Sequence, residues 1–247
     1  ELPASAFRDV AQRIEARGAA DVAKRVLETC GQVMRYAVAN DLAPHNPVAA
    51  IKPADILKPR QQENYARVSA EELPELLRAI DRYPGRMRTR LAMQLLALTF
   101  VRTGELIAAR WDEFDLDAGR WVIPASRMKM KTEHVVPLSR QALAVLAELR
   151  DLTGDGPLQF RNDRDHRRPM SNNAILKALE RMGYKCRMTG HGFRGLASTI
   201  LHEQGWPHED IELQLAHQTG NAVSRAYNAA TRLAQRADMV QWYPDYL

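Results

Sequence analysis

The stretch Thr99-Phe100-Val101-Arg102-Thr103-Gly104-Glu105-Leu106 places an arginine and a glutamate at the end of an apolar helix. Residues 87–101 are apolar on nearly all of one side, which predicts a helix packed into a core. Arg102 then lies among apolar neighbours, where a guanidinium needs a partner. Glu105, three residues later, shares its helical face and can supply one. Taken alone, such a pair is more often structural than functional.

Beyond this junction the sequence changes from helical to strand-like patterning. Three short segments, 111–114, 120–123 and 134–136, are rich in β-forming residues. The turn sequences Asp117-Ala118-Gly119 and Lys131-Thr132-Glu133 separate them. We therefore predict a small antiparallel three-stranded β-sheet within an otherwise helical chain.

Helical patterns fill most of the remaining sequence. One helix is expected from a Ser5 cap to about residue 17, and a second over 20–40 with an apolar stripe that includes Val22 and Val33. Later helices are expected near 69–82 (behind the capping box Ser69-Ala70-Glu71-Glu72), 139–152, 171–182, 192–204, 207–216, 222–228 and 231–242. The fold class is thus mainly α with one small sheet.

Residues 52–67 divide the chain. They contain two prolines, many charges and few large apolar side chains, as is typical of a linker. We predict two domains, 1–60 and 66–247. The chain begins with Glu1 rather than Met, and we expect it to be part of a longer protein.

Composition excludes some classes of protein and favours one kind of partner. The 247 residues are 45% apolar and 26% charged, without the run of about 18 apolar residues that a membrane helix needs. No signal peptide opens the chain, and Cys30 and Cys186 lack metal-ligand spacing, so we expect two buried thiols in a reducing cytoplasm. The net charge of +5 fits a nucleic-acid partner without proving one.

The distribution of positive charge is more informative than its total. Lys and Arg cluster in 120–140, 161–168 and 177–194, all in the second half of the chain. One cluster is usually a solvated face, but three together favour contacts with phosphates. The residues predicted to bind DNA are Arg127, Lys131, Arg164, Arg167 and Arg168.

Four further residue types could carry chemistry, and each has a simpler explanation. Lys129, inside Arg127-Met128-Lys129-Met130-Lys131, would normally face solvent. His191 and Arg194 stand at positions i and i+3 and could reach one ligand from one helical face. His217 alone is more often a structural histidine, and Tyr227 more often a packing residue.

In order, the set Arg102, Lys129, His191-x-x-Arg194, His217 and Tyr227 resembles the catalytic residues of the tyrosine recombinases, the phage integrase family. The resemblance covers nearly the whole chain and is strongest to integrases of prophages and genomic islands. Besides the opening stretch, it is carried by residues 127–130, by His134-Val135-Val136-Pro137-Leu138-Ser139 and by Gly190-His191-Gly192-Phe193-Arg194. Any one motif is weak, whereas all of them in this order are specific.

The resemblance implies a fold, partners and domain roles. Residues 66–247 would be a catalytic domain, and 1–60 part of a helical core-DNA-binding domain. The partners would be double-stranded DNA attachment sites, three further copies in a homotetramer on DNA, and accessory DNA-bending proteins in a bacterial cytoplasm. No cofactor and no metal would be needed.

It also implies a role for each residue. Arg102, braced by Glu105, and Arg194 would clamp the phosphate, and His191 and His217 would bond to it or handle the proton of the nucleophile. Tyr227 would attack phosphorus to give a 3′-phosphotyrosine. Lys129 would protonate the leaving 5′-oxygen.

The choice between Lys129 and Lys131 is not made by periodicity. The two are two residues apart, so strand alternation would place both on one face. Lys131 begins the predicted turn, where Glu133 can hold it toward solvent. By resemblance, the catalytic lysine stands eight residues before the proline of Val-Pro-Leu, which is Lys129.

Three other functions stay open. A type IB topoisomerase-like enzyme would use the same chemistry but relax plasmids without a cognate site. A catalytically silent DNA-binding regulator would tolerate the loss of Tyr227. A helical interaction module would make the ordered set a coincidence.

Overall fold

The computed structural model describes residues 2–59, 65–128, 131–217 and 232–247. The chain forms two compact units, Glu1–Asn64 and Tyr65–Leu247. Each unit has its own cluster of buried apolar side chains.

Over residues 2–59, the first unit contains three helices: α1 (Ala4–Ala16), α2 (Ala20–Ala39) and α3 (Pro53–Ile56). The buried side of α2 consists of Ala23, Leu27 and Gly31, at i, i+4 and i+8, and α2 packs against α1. The predicted stripe is therefore wrong at its edges, since Val22 and Val33 are 49% and 58% exposed.

Two other boundaries of this unit differ from expectation. Helix α1 starts before Ser5, with Pro3 as its N-cap and no side-chain cap. Order also extends into the predicted linker, because α3 forms there and Leu57 joins the buried cluster. The backbone N–H of Lys58 donates to Glu15 Oε1 at 2.6 Å, which anchors the end of this segment.

The second unit surrounds one central helix, α5 (Met87–Thr99), which packs against six other helices of the described residues. The other helices in the described part of this unit are α4 (Leu73–Asp81), α6 (Thr103–Ile107), α7 (Arg140–Thr153), α8 (Asn173–Arg181), α9 (Gly192–Glu203), α10 (His208–Gln214) and α11 (Leu233–Tyr246). The capping box before α4 is confirmed: Ser69 N–H donates to Glu72 Oε2 at 2.9 Å, and Glu72 N–H to Ser69 Oγ at 3.4 Å.

The predicted three-stranded antiparallel sheet is present, in the order β1 (Phe114–Asp115), β2 (Arg120–Ile123), β3 (His134–Pro137). Most of the expected first strand is instead a 3₁₀ turn, Trp111–Glu113. Its start is fixed by the Glu113 carboxylate, which accepts from the backbone N–H of Arg110 at 3.4 Å. Because the Glu113 side chain makes this bond back to Arg110, it does not point away from the sheet as the side chain of a strand residue would.

The end of α5 shapes the region that follows. Phe100 has φ +58°, a left-handed conformation that few bulky residues adopt, and its ring is buried against Tyr243 at 4.7 Å, edge to face. Such a backbone is held by the surrounding packing and is often found near functional sites. It reverses the chain so that Arg102 is the N-cap of α6.

The expectation of two buried thiols is wrong for one of them. Cys30 is partly buried, but Cys186 is exposed. Cys186 has φ +59° and lies in the tight turn after α8, where its side chain cannot reach the core. Among the described residues, no helix is long and apolar enough to cross a bilayer.

Candidate active site

Arg102 and Glu105 form the pair that the sequence predicts. Nη1 of Arg102 donates to Glu105 Oε1 at 2.7 Å, and the backbone N–H of Arg102 donates to Glu105 Oε2 at 2.9 Å. Glu105 is buried, whereas the Arg102 side chain stays 29% exposed. The carboxylate therefore holds one edge of the guanidinium and leaves the rest accessible.

Arg194 lies deeper, in the first turn of α9, and is only 3% exposed. It donates through Nη1 to the carbonyl of Phe100 and through Nη2 to that of Leu215 at 2.6 Å. Burial, and then the charge of Arg102, lower the pKa of Arg194 to about 10. It therefore remains a cation at neutral pH, held by neutral carbonyls rather than by a carboxylate of its own.

The C-terminal end of α10 joins the two arginines. Nη2 of Arg102 donates to Ala216 O at 3.3 Å, next to the Leu215 carbonyl that binds Arg194. Ala216 has φ +50°, which ends the helix and turns its last carbonyls toward the guanidiniums. Two positive charges are thus brought together on one helix terminus.

His217 follows directly and is oriented by Glu212. Its Nδ1 lies 3.0 Å from Glu212 Oε2, and its Nε2 lies 3.4 Å from Arg194 Nη2. The carboxylate assigns a proton to Nδ1, so Nε2 is the nitrogen beside the arginine. The side chain of His217 is 46% exposed and can meet a ligand.

His191 stands at the start of α9, beside Arg194. Its ring packs on Tyr65 with centroids 4.3 Å apart. Burial, and then the charges of Arg194 and Arg102, lower the pKa of His191. His191 is consequently neutral at neutral pH, as a proton acceptor should be.

Three of the predicted residues share one cavity. His191, Arg194 and His217 all line a space of about 400 Å³, together with Arg67. Glu105, Arg102 and Arg194 are further connected by the bonds given above. The structure therefore brings together five of the seven catalytic or supporting residues proposed from the sequence. The other two, Lys129 and Tyr227, lie outside the described residues.

Lys131 is described, and it is exposed with φ +55°. It lies in a bend rather than in a strand, so the expectation that strand alternation applies to it is wrong. The left-handed backbone turns the chain before β3, so the direction of the Lys131 side chain does not follow the alternation of a strand.

Arg127 has internal partners. It is mostly buried, pairs with the carboxylate of Glu113 and donates to the carbonyl of Glu105. This network connects the 3₁₀ turn to α6 beneath Arg102. Its contact with DNA stays a prediction, and its present bonds favour a structural role.

The remaining DNA-binding candidates are on a surface loop between α7 and α8. Arg164, Arg167 and Arg168 are all exposed, and Arg168 pairs weakly with Asp165 at 3.3 Å. An isolated bridge between Arg161 and Pro169 closes the loop. Their role in binding DNA also stays a prediction.

A buried polar network supports the site from behind, and sequence reasoning missed it. Arg236 of α11 donates to Val135 O at 2.6 Å and to Gln214 Oε1 at 2.8 Å, and Gln214 Nε2 donates to Thr99 O at 3.0 Å. Arg232 binds buried Asp210 at 2.6 Å. These bonds fix α11 to α10, but their partners are about 100 or 20 residues apart, so no local pattern signals them.

Within the described ranges, no group of three His, Cys, Asp or Glu side chains is arranged to hold a metal ion. What the site offers is positive charge and hydrogen-bond donors. Such a set suits a phosphate diester.

Two family models match the chain. Residues 66–233 match the phage integrase family, and residues 1–54 match the phage integrase central domain. The chain belongs to the phage integrase family. The first match includes every one of the seven catalytic or supporting positions.

Curated relatives agree with this membership. The integrase of Enterobacteria phage P4 is 42% identical over 96% of this chain and 57% of its own length. Prophage integrase IntA of Escherichia coli (strain K12) is 37% identical over 99% of this chain and 59% of its own. The chain thus spans about three fifths of these relatives.

Solved structures establish the fold. A lambda integrase tetramer bound to a Holliday junction matches with a TM-score of 0.68 at 19% identity, over 90% of this chain and 66% of that one. The Tn1549 transposon integrase in complex with a circular intermediate DNA matches with 0.67 at 16% identity, over 97% and 85%. The fold predicted from the sequence, a tyrosine recombinase catalytic fold that is mainly α with a small three-stranded antiparallel sheet, is confirmed.

Proposed function

We propose that this chain is the DNA-cleaving and DNA-rejoining part of a site-specific recombinase, which integrates or excises mobile DNA. The observation that carries the proposal is the single cavity lined by His191, Arg194 and His217, with Arg102 bonded to the same helix end as Arg194. Family membership supports it, since the P4 and IntA relatives are integrases.

The phosphate is the group that this site suits. In phosphoryl transfer, negative charge develops on the nonbridging oxygens, and preorganised donors stabilise it there. Arg194 can point at them without reorganising, because two carbonyls already fix its plane. Arg102 is fixed by Glu105 in the same way.

The proposed reaction moves two protons. The Tyr227 hydroxyl gives its proton to neutral His191 while its oxygen bonds to phosphorus. The P–O5′ bond breaks, and the leaving oxygen takes a proton from Lys129. His217, whose Nδ1 lies 3.0 Å from Glu212 Oε2, would donate a hydrogen bond to the phosphate from a protonated Nε2. The 3′-phosphotyrosine conserves the diester, so a second 5′-hydroxyl can reverse the steps on another strand without ATP.

The domain roles and partners are part of the proposal. Residues 66–247 would cleave DNA, and residues 1–60 would contribute part of a core-DNA-binding domain, which the central-domain match supports. Lambda integrase has been solved bound to a core site and as a tetramer on a Holliday junction. By analogy, we propose double-stranded attachment sites, a homotetramer on DNA, accessory DNA-bending proteins and a bacterial cytoplasmic location.

The proposal is tested with a library of nicked duplexes whose central segment is randomised. A nick lets the short 5′-strand diffuse away, so that a covalent intermediate accumulates. We expect protein–DNA adducts that survive denaturation, enriched in one core sequence, and strand exchange between two duplexes that carry it. Adducts without sequence enrichment, together with plasmid relaxation, would indicate a topoisomerase instead. Binding without any adduct would indicate a silent regulator.

A further inference from the structure

The segment that opens the second unit lies across the first turns of α9. A Cβ atom built on Gly192 would lie 2.6 Å from the carbonyl oxygen of Ala66. One built on Gly195 would lie 2.5 Å from Nη1 of Arg67 and 3.4 Å from its Cδ. The two glycines lie at i and i+3 on one helical face. Because they have no side chains, they leave a shallow groove on α9 that Ala66 and Arg67 occupy.

The two glycines that form this groove lower the stability of the helix. Glycine inside a helix is about 1 kcal/mol less favourable than alanine. Gly195 has a helical backbone, so no unusual dihedral angle requires glycine there. The one close neighbour that its missing side chain accommodates is the Arg67 side chain. The sequence Gly192-Phe193-Arg194-Gly195 therefore positions two arginines: its own Arg194, and Arg67 from 128 positions away.

Arg67 differs from the other arginines of the site because its guanidinium has no partner among the described residues. Arg102 is bonded to Glu105, and Arg194 to two carbonyls. Arg67 is exposed, and among the described residues its side chain has neither an ion pair nor a hydrogen bond. It lines the same cavity as His191, Arg194 and His217. A free guanidinium fixed beside a cationic cavity has no evident stabilising role in the unliganded protein.

We propose that Arg67 is a third arginine that binds DNA phosphate at the active site, held in place by the glycine at position 195. The inference rests on the proposed function, because it takes DNA as the ligand. Since Arg67 is exposed and unpaired, it meets the phosphate backbone already in the ground state. It contributes to binding DNA at this cavity, whereas Arg102 and Arg194 stabilise the charge that grows during reaction.

The test compares binding of a fluorescently labelled duplex of mixed sequence across salt concentrations. Arg67→Ala should weaken binding roughly 10-fold and lower the slope of log affinity against log salt by about 0.9, the value for one lost phosphate contact. The matched control is Arg82→Ala, which removes another exposed arginine of the same unit that does not line the cavity. Its affinity and slope should stay near those of the unmodified protein.

Gly195→Ala tests whether the groove at position 195 holds Arg67 in place, without changing any charge. Its new methyl must displace the flexible end of Arg67, so binding should fall as in Arg67→Ala, while the unfolding temperature stays equal or rises because alanine favours the helix. In an Arg67→Ala background the same substitution should have no further effect on binding. If Gly195→Ala lowered DNA affinity by the full amount in that background as well, Gly195 would not act by positioning Arg67.

The outcome for Arg67 can be separated from that for the proposed function. If the unmodified protein forms covalent adducts but Arg67→Ala binds DNA as Arg82→Ala does, the role of Arg67 is wrong and the recombinase proposal stands. If the unmodified protein forms no adduct while Arg67→Ala lowers affinity and slope, Arg67 still binds phosphate and the recombinase proposal fails.

Discussion

Glu212 Oε2 lies 3.0 Å from Nδ1 of His217, and this contact determines which imidazole nitrogen faces Arg194. The backbone N–H of His217 also donates to Glu212 O at 3.0 Å, so the side chain and the main chain of one residue fix the histidine together. Glu212 is five positions away, off the helical face of His217, which is why the sequence does not reveal it.

Removing this carboxylate should slow cleavage without preventing DNA binding. Glu212→Ala frees the imidazole to rotate, and we expect a loss of part of the roughly 10²–10⁴-fold that a positioned acid or base contributes. Glu212→Gln keeps an acceptor for Nδ1 and should lose less. The measurement is the single-turnover rate of adduct formation at saturating protein. A wild-type rate for Glu212→Ala would show that His217 needs no orienting partner.

The arginines of the cavity and those of the surface loop should affect different steps. Arg194→Lys keeps the charge but loses the two-pronged geometry, so we expect roughly 10²–10³-fold slower cleavage with little change in affinity. Arg167→Ala, in the exposed loop, should weaken binding with little change in the rate at saturation. Single-turnover rates and fluorescence anisotropy separate the two effects. Equal effects of both substitutions on both steps would contradict the site.

Acid should destabilise the second unit through His134. Burial, and then the charge of Arg236, lower the pKa of His134 to about 3, from about 6.5 in an unfolded chain. Between these values the unfolded chain binds the extra proton, so the stabilisation is present above pH 6.5 and is lost as pH falls toward 3. Urea midpoints should therefore drop steeply below pH 6.5.

His134→Leu should flatten that dependence on pH, whatever its effect on stability at pH 7. The control is His166→Leu, an exposed histidine of the same unit, which should retain the steep decline. An unchanged pH dependence in His134→Leu would mean that another group is responsible.

The identity of the general acid can be tested with sulfur. A leaving 5′-oxygen needs a proton, whereas a 5′-sulfur leaves without one. Lys129→Ala should fail on normal DNA but cleave a 5′-phosphorothiolate duplex well, and Lys131→Ala should be near wild type on both. Rescue of Lys131→Ala alone would move the assignment to Lys131. Rescue of neither would make His191 or His217 the next candidate.

The sequence predicts best what depends on near neighbours. The capping box at Ser69, the Arg102–Glu105 pair and the three-stranded sheet all follow from residues a few positions apart. The residue roles came from family resemblance rather than from any pattern in the chain. The tertiary packing that buries Arg194 could not be predicted locally, because its partners Phe100 and Leu215 lie 94 and 21 residues away.

Errors arose where tertiary packing overrides pattern. Val22 and Val33 fit a helical stripe, yet they are exposed, and the buried residues of α2 are Ala23, Leu27 and Gly31. The segment 111–114 has an aromatic residue at each end, as a short strand often does, yet the capping Glu113 makes 111–113 a 3₁₀ turn. No local sequence pattern indicates a role for Arg67, because its position depends on a glycine 128 residues later.

The most direct test of the central claim is the covalent adduct itself, formed on a nicked duplex and mapped by peptide mass spectrometry. We predict that the wild-type protein carries the 3′-phosphoryl DNA on Tyr227 and that Tyr227→Phe forms no adduct while binding the duplex as tightly. Only the phenolic oxygen is lost, so packing of the ring should remain. An adduct in the Tyr227→Phe protein, on Tyr184, Tyr243, Tyr246 or any other residue, would contradict the account.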